Sequence, residues 1–385
     1  MDFQLSEGQE FFRATVADTV DRLILPKVEE IDETDEFPWD LWKEFTALGY
    51  LSLRYPESLG GMDADPVTAM LFYEELGRGS AGFAQSVTMN MLMGTYFLHR
   101  FGSDAIRERC LLPAIRGEKL ATICFTEDQS GSDIGATRTR AEKVEGGWVL
   151  NGTKNWITNG PICDFATVLA TTEPGAGAKA LNFFLVEKGT PGFSPGQVLH
   201  KLGCRGTVTG EVVLEDAFVP DENLLGEEVN RGATYLNEIL NEVRCMTGAL
   251  AIGIARTAVK DGLEYAQKRQ AFGRVIGDYQ LIREKFARIA VELEASRLLV
   301  HSAAWKMGAG RNPRMEAFMA KYHATEMCLE AVDEVTRIYG ANGFAQEYGP
   351  QRYFRDARFL LYGGGTHEII KNFLGKEIVS GRWQF

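Results

Sequence analysis

Three textures succeed one another along the chain. Up to about residue 118, apolar residues recur at helical spacing: Phe11, Phe12, Val16, Val20 and Leu23 mark one stripe, and Leu41, Trp42, Phe45 and Leu48 a second. Pro26, Pro38, Pro56 and the Gly60-Gly61 pair divide this stretch into several helices. From about 120 to 225 the apolar runs become short and β-like, as in Trp148-Val149-Leu150, Ala166–Ala170, Phe183–Val186 and Val212-Val213-Leu214, parted by turns such as Glu145-Gly146-Gly147. After about 228 long helical patterns return. Leu281, Phe286, Ile289, Leu293 and Leu298 mark one apolar face, and Cys245–Ala255 reads as a buried helix. Helices, then strands, then helices predict an α+β chain. Its N-terminal helical domain is expected over 1–118, a middle antiparallel β-domain over 119–227 and a C-terminal helical domain over 228–385. No internal repeat or low-complexity tract interrupts this order.

Composition narrows the class. At 385 residues the chain is long enough for several domains around a large core. A net charge of −12 argues against general affinity for nucleic acid or an anionic membrane, since such binding needs clustered Lys and Arg. The six cysteines (110, 124, 163, 204, 245 and 328) are scattered without a C-x-x-C pair, which predicts buried thiols rather than disulfides or a metal site. The start MDFQLSEGQEFF lacks the basic and apolar regions of a signal peptide, and no apolar run reaches the length of a membrane span. A cytoplasmic enzyme is expected. G-x-G-x-x-G, P-loop and G-x-S-x-G motifs are absent. His323 shares a helical face with Glu326 and Glu330, a pattern that reads as solvated side chains rather than as ligands; no metal is expected.

Two polar segments flank the start of the β-region. Cys124-Phe125-Thr126-Glu127-Asp128-Gln129-Ser130-Gly131-Ser132-Asp133 offers hydroxyls and exposed N–H groups of the kind that bind a flavin edge or a pyrophosphate. Asn151-Gly152-Thr153-Lys154-Asn155-Trp156-Ile157-Thr158-Asn159-Gly160 sets a Trp among polar residues at a strand end, where it could be core filler or could stack on a flat ring. Together these segments resemble the Thr-Glu-Pro-x-Ala-Gly-Ser-Asp and Asn-Gly-x-Lys-x-Trp-Ile-Thr-Asn-Gly motifs of the acyl-CoA dehydrogenase family. Arg269-Gln270-Ala271-Phe272-Gly273 with Gln280, and Tyr339-Gly340-Ala341-Asn342-Gly343-Phe344, resemble two more of its motifs. Arg355-Asp356-Ala357 through Gly363-Gly364-Gly365-Thr366 resembles its active-site loop, usually RDA, six residues, then Tyr-Glu-Gly-Thr.

The resemblance covers about residues 1–375. It implies that the C-terminal domain is a four-helix bundle and that FAD lies between it and the β-domain. Phe125, Thr126, Gly131, Ser132, Trp156 and Thr158 would hold the flavin half. Arg269, Phe272 and Gln280 would reach the FAD of a neighbouring subunit, so a homodimer or homotetramer is implied. Ala341 and Thr366 would lie along the cofactor, as would Arg337 and Glu368, which replace the usual glutamines. Ser132, Arg244, Gly363 and Gly364 would line the acyl thioester. The substrate would be carried on CoA or an acyl carrier protein, and the electrons would pass to a flavoprotein acceptor or oxygen.

In this family a Glu removes the α-proton, from the loop or from a helix just before an Arg. The matching positions here are Gly364 and Val243, and neither carries a carboxylate. Glu242, next to Val243, is the candidate for a relocated base; its other role is that of an Arg-paired acid. His367 could assist proton movement or be structural. Glycine at 363 and 364 opens room for a substituent on the α-carbon or for a carrier arm. Three readings are open. One is an acyl-CoA dehydrogenase with a displaced base. The next is an oxidase of 2-hydroxy- or 2-aminoacyl groups on a carrier protein, and the last a silent FAD-binding subunit.

Overall fold

The computed structural model describes residues 4–226 and 228–383. Met1–Phe3, which open the sequence, the expected domain boundary at Glu227 and the C-terminal Gln384-Phe385 lie outside the described residues. The first helical block comprises α1 (Glu7–Thr19), α2 (Val28–Thr34), α3 (Trp39–Thr46), α4 (Pro66–Gly77), α5 (Ala81–Thr88), α6 (Gly94–Phe101), α7 (Asp104–Ile106) and α8 (Leu112–Ile115). Ser6 caps α1 in a reciprocal capping box with Gln9, and Asp65 caps α4 through the N–H groups of Val67 and Thr68.

The middle of the chain forms one eight-stranded sheet from β1 (Ala121–Cys124), β2 (Arg140–Val144), β3 (Gly147–Thr158), β4 (Phe165–Thr171), β5 (Leu181–Glu187), β6 (Phe193–Val198), β7 (Thr209–Pro220) and β8 (Leu224–Leu225). The order is β6-β7-β3-β2-β4-β5-β8, with β1 on β4. The sheet departs from the antiparallel arrangement expected: β1 pairs parallel with the first half of β4, and β2 meets the far end of β4 in parallel at Arg140 and Thr171. The cause is the sharing of one edge of β4 by two successive strands. The chain leaves that edge at Cys124 and rejoins it at Arg140, so residues 125–139 are thrown out of the sheet as a loop.

The C-terminal part has three long helices, α9 (Gly232–Lys268), α10 (Gln280–Gly308) and α11 (Arg314–Tyr339), then the shorter α12 (Gly349–Arg358) and α13 (His367–Val379). A hairpin of β9 (Gln270–Ala271) and β10 (Arg274–Val275) joins α9 to α10. Every residue of α9 from Val243 to Ala255 is buried, as its composition predicts. It achieves this by lying against α4 as well as α11. Gly77 and Gly253 allow the close approach: a Cβ on Gly253 would come within 2.1 Å of the Glu74 carbonyl oxygen, and one on Gly77 within 2.6 Å of that of Leu250. The same seam holds the ion pairs of Glu74 with Arg256 (2.8 Å) and Arg297 (2.9 Å).

Four residues of the predicted apolar stripes face outward: Phe11, Leu48, Leu281 and Leu298. On α1 the inward direction is taken by Phe12 and Val16. On α10, Ile289 is buried, while Val291, Leu298 and Trp305, spaced seven residues apart, form a bare row. All six cysteines are buried and free. Among the described residues no helix is long and apolar enough to cross a membrane.

Substituting Gly253→Ala is expected to destabilise the fold by about 1–3 kcal/mol, although Ala is the better helix former. Urea unfolding of the two proteins measures this.

Candidate active site

The loop thrown out between β1 and β2 is fixed by one buried ion pair. Lys154, inaccessible to solvent on β3, reaches Glu127 Oε1 at 2.6 Å. The Glu127 carboxylate also accepts the N–H groups of Arg138 (2.8 Å) and Thr139 (3.0 Å), at the return end of the loop. Burial raises the Glu127 pKa, but the Lys154 charge and these donors more than reverse it, so the net shift is downward. Glu127 and Ser130 exchange backbone hydrogen bonds across a tight turn. Gly131 and Ser132, next along the loop, are exposed, and neither N–H has an acceptor among the described residues.

β3 is deformed beside this loop. Its register on β7 shifts between Lys154 and Ile157, and Trp156 adopts φ +59°. A Trp in the left-handed region costs roughly 1–2 kcal/mol. The strain is held by Asn155, whose N–H donates to the Thr126 carbonyl (2.9 Å) and whose Nδ2 donates to Asp128 (2.7 Å). The result is an indole 61% exposed beside the Thr126–Ser132 loop. Phe125, Thr126 and Thr158 are half-buried next to it. These six predicted residues are brought together.

The residues expected to reach a neighbouring subunit lie on the hairpin between α9 and α10. Phe272 (φ +51°) and Gly273 (φ +82°) form a two-residue turn with both positions left-handed, which leaves the Phe272 ring 98% exposed. Arg269 lines a cleft of about 360 Å³ with Tyr265, Tyr339, Asn342 and Tyr348. Gln280 opens α10 and is exposed. A larger groove of about 760 Å³ among α1, α4 and α9 contains none of the predicted site residues. Arg337 turns outward and pairs with Asp333 at 2.7 Å. Ala341 is exposed in the turn after α11, Thr366 caps α13 through the Ile369 N–H, and Glu368 is exposed in its first turn.

The loop that resembles the family's active-site loop lies against α9. Gly364 (φ +72°) and Gly365 (φ +105°) are left-handed, and a Cβ on Gly364 would stand 3.1 Å from Thr247 Oγ1 and 3.9 Å from Arg244 Cα. The Lys321 Nζ on α11 donates to the Gly365 carbonyl at 2.9 Å. Glu242 does not join this group. Its carboxylate is held by Arg54 through two hydrogen bonds, at 3.1 and 2.5 Å. On an α-helix it is turned about 140–200° from Thr247 and Arg244, the residues that face Gly364. His367 is enclosed by Thr325 Oγ1 (2.7 Å) and Glu326 Oε1 (2.8 Å), with its pKa lowered first by burial and then by Lys321. His323 pairs with Glu292 (3.0 Å) rather than with Glu326 or Glu330.

Sequence reasoning missed Lys154, Lys321 and Arg54. A signal for Lys321 existed: it interrupts the apolar face Ala317, Phe318, Ala324, Cys328 of α11.

Comparison with known proteins decides the family. The sequence model of the acyl-CoA dehydrogenase N-terminal domain matches residues 6–118, that of the middle domain residues 122–217, and that of the C-terminal domain residues 230–379. The chain belongs to the acyl-CoA dehydrogenase family. As a member it is an oxidoreductase with FAD as its cofactor, acting on acyl-CoA. A benzylmalonyl-CoA dehydrogenase of Aromatoleum aromaticum is 42% identical over 380 residues, spanning 99% of this chain and 100% of that protein. The structure of butyryl-CoA dehydrogenase from Megasphaera elsdenii superposes with a TM-score of 0.95 at 32% identity, over 98% of this chain and 100% of that one. A prolyl acyl carrier protein oxidase superposes with a TM-score of 0.93 at 28% identity, over 97% of this chain and 100% of that one.

Two measurements test the framework of this acyl-CoA dehydrogenase. Lys154→Met leaves Glu127 buried without its cation, and a loss of about 3–5 kcal/mol in unfolding free energy is expected. Asp356 of the RDA segment is buried, and burial pushes its pKa from 3.8 up to about 6, against the pull of the Cys204 N–H (2.6 Å). The protonated form is favoured in the fold, so this stabilisation is full below about pH 4 and is lost as pH rises through about 6. Relative to Asp356→Asn, the parent protein should lose about 2–3 kcal/mol between pH 4 and 7 in urea titrations.

Proposed function

We propose that this protein oxidises the α,β bond of a CoA thioester whose acyl group carries a substituent on its α-carbon. The observation that carries the reading is the loop against α9. At both positions where the resemblance places a base the chain has no carboxylate (Val243 and Gly364), while the loop backbone is kept; the room expected at 363 is taken by Phe359, whose ring would stand 2.7 Å from a Cβ there. In support, the relative at 42% identity is named for benzylmalonyl-CoA, an acyl thioester substituted at the α-carbon.

The chain's own groups fit FAD. The unused N–H groups of Gly131 and Ser132 and the hydroxyls of Ser132 and Thr158 form a donor set for a flavin edge and a phosphate. The exposed indole of Trp156 offers a flat face, and Phe125 and Thr126 wall the same loop. Bound there, FAD supplies a two-electron acceptor for the β-hydride. Arg269, Phe272 and Gln280 would serve the cofactor of an adjoining subunit, with Ala341, Thr366 and Glu368 along its length; Arg337 is engaged with Asp333 instead. The bare row Val291, Leu298 and Trp305 supports a homo-oligomer. Substrate contacts fall to Ser132, Arg244 and the backbone of Gly363 and Gly364; the Gly363 N–H is taken by the Phe359 carbonyl (3.2 Å), which leaves that of Gly364 to polarise the thioester carbonyl. Glu242 is read as the structural partner of Arg54. A second flavoprotein takes the electrons.

Anaerobic titration of the flavin band tests this. Bleaching by an α-substituted acyl-CoA is expected, and Glu242→Gln should change its rate by less than about tenfold, against the roughly 10²–10⁴-fold of a lost base. Loss of bleaching in that variant, at full flavin content, would return the role of base to Glu242. Bleaching by carrier-bound 2-hydroxy- or 2-aminoacyl groups alone would favour the carrier-protein reading. No bleaching by any thioester would favour the silent subunit. Phe272→Asp is expected to lower the bound-flavin ratio and the oligomer mass together, as read by absorbance and light scattering.

A further inference from the structure

The glycine loop between α12 and α13 is tied at both ends but hardly in its middle. At its start the Tyr362 and Gly363 N–H groups donate to the Phe359 carbonyl (3.0 and 3.2 Å). At its end Thr366 caps α13, and its carbonyl accepts the Ile370 N–H at 3.0 Å. Between these ties stand Gly364 (φ +72°) and Gly365 (φ +105°), which have no side chains to lock them, and glycine passes readily between left- and right-handed backbone. Neither N–H has an acceptor among the described residues. The Gly365 carbonyl is held by one donor, the Lys321 Nζ of α11 at 2.9 Å.

Lys321 is fully buried and has no ion pair among the described residues. Of the two acids that act on it, Glu326 is engaged by His367 Nδ1 (2.8 Å) and Glu368 on α13 is exposed. His367 itself is bonded through Nε2 to Thr325 Oγ1 (2.7 Å). From α9, Arg244 acts on Lys321 as a like charge, its guanidinium laid 3.9 Å over the Phe318 ring. Burial, with Arg244 adding, lowers the Lys321 pKa to about 7 against the pull of Glu326 and Glu368. An ammonium donates a stronger hydrogen bond to a carbonyl than a neutral amine does. Charged Lys321 therefore grips the loop, and neutral Lys321 holds it less.

Resting on the reading of the Gly364 N–H as the donor to the thioester carbonyl, we propose that Lys321 is a positioning residue for the oxidation. By holding the Gly365 carbonyl it fixes the Gly364 N–H in the orientation that meets the negative charge developing on the thioester oxygen. Such a donor accelerates a reaction when it is aimed before the charge appears, at no cost of reorganisation. A loop of glycines supplies no side chain for that task. The nearest side chain on α9 does not supply it either: Thr247 Oγ1, 3.1 Å from where a Gly364 Cβ would stand, donates back to the Val243 carbonyl at 2.8 Å. The task falls to Lys321, which acts through the backbone without touching the substrate.

The test reads flavin reduction and the carbonyl itself. With isobutyryl-CoA, which carries a methyl on its α-carbon, anaerobic stopped-flow on the FAD-loaded protein should show Lys321→Met lowering the saturated rate by about 10- to 100-fold, less than the roughly 10²–10³-fold of a lost oxyanion donor. The half-saturating concentration should change little. In the parent the rate should fall as pH rises through about 7, where Lys321 loses its charge; His367, whose pKa is lowered from 6.5, would act on the acid side. Lys321→Arg, charged throughout, should lose this limb and keep part of the rate. The pH profile uses the unaltered protein and stands even where Lys321→Met does not fold. Isotope-edited infrared spectra of methacrylyl-CoA, labelled with 13C at the thioester carbonyl and bound to the oxidised protein, should place that band at lower wavenumber in the parent than in Lys321→Met. Equal band positions, or a rate indifferent to the substitution and to pH around 7, overturn the inference while leaving an acyl-CoA oxidoreductase in place. A loss of stability alone, with rate and profile kept, makes Lys321 purely structural and overturns it as well. Failure of every thioester to reduce the parent flavin removes the reading and the inference together.

Discussion

The stretch of α9 from Val243 to Ala255 must be covered on every side, and much of the structure answers that demand. An apolar helix segment without a polar face is stable only when other elements surround it. Here α4 closes on one side through Gly77 and Gly253, and α10 and α11 close on others. The two helical parts thus share one core although the β-sheet separates them in sequence. Arg244 sits near the start of this segment, so its charge is carried under the protein surface by the burial of its neighbours.

The loop between β1 and β2 depends on edges rather than on cores. Two strands dividing one edge of β4 leave a gap, and the chain between them has nowhere to go but outward. A polar loop in that position would be mobile if it were not tied down. The Lys154–Glu127 pair and the Asn155 bonds tie it at its start, its turn and its return. Strain at Trp156 is tolerated because the same bonds over-determine the bulge.

Much of the buried charge is met by partners that the fold brings in from elsewhere in the chain. Buried acids meet cations between the two helical parts at Glu74, Glu75 and Glu242, and within the sheet region at Glu127. Arg244 and Lys321 have no ion pair among the described residues; Arg244 lies over the Phe318 ring and Lys321 donates to the Gly365 carbonyl.

The sequence by itself determined the succession of helical, β and helical parts, the family resemblance and the lack of a carboxylate at Val243 and Gly364, since these rest on local periodicity and on residue identity at fixed spacing. It also placed Phe125 through Ser132 beside Trp156 and Thr158. It did not foresee the parallel pairing of β1 with β4, nor that Leu281 and Leu298 would face outward, because strand neighbours and helix coverage are set by distant segments. Only the tertiary structure decided that Glu242 turns to Arg54, 188 residues away, that Lys154 and Lys321 go inside, and that Arg244 finds no acid. A charge is paired or unpaired according to what the fold brings within a few ångströms of it, and no spacing along one strand or helix carries that information.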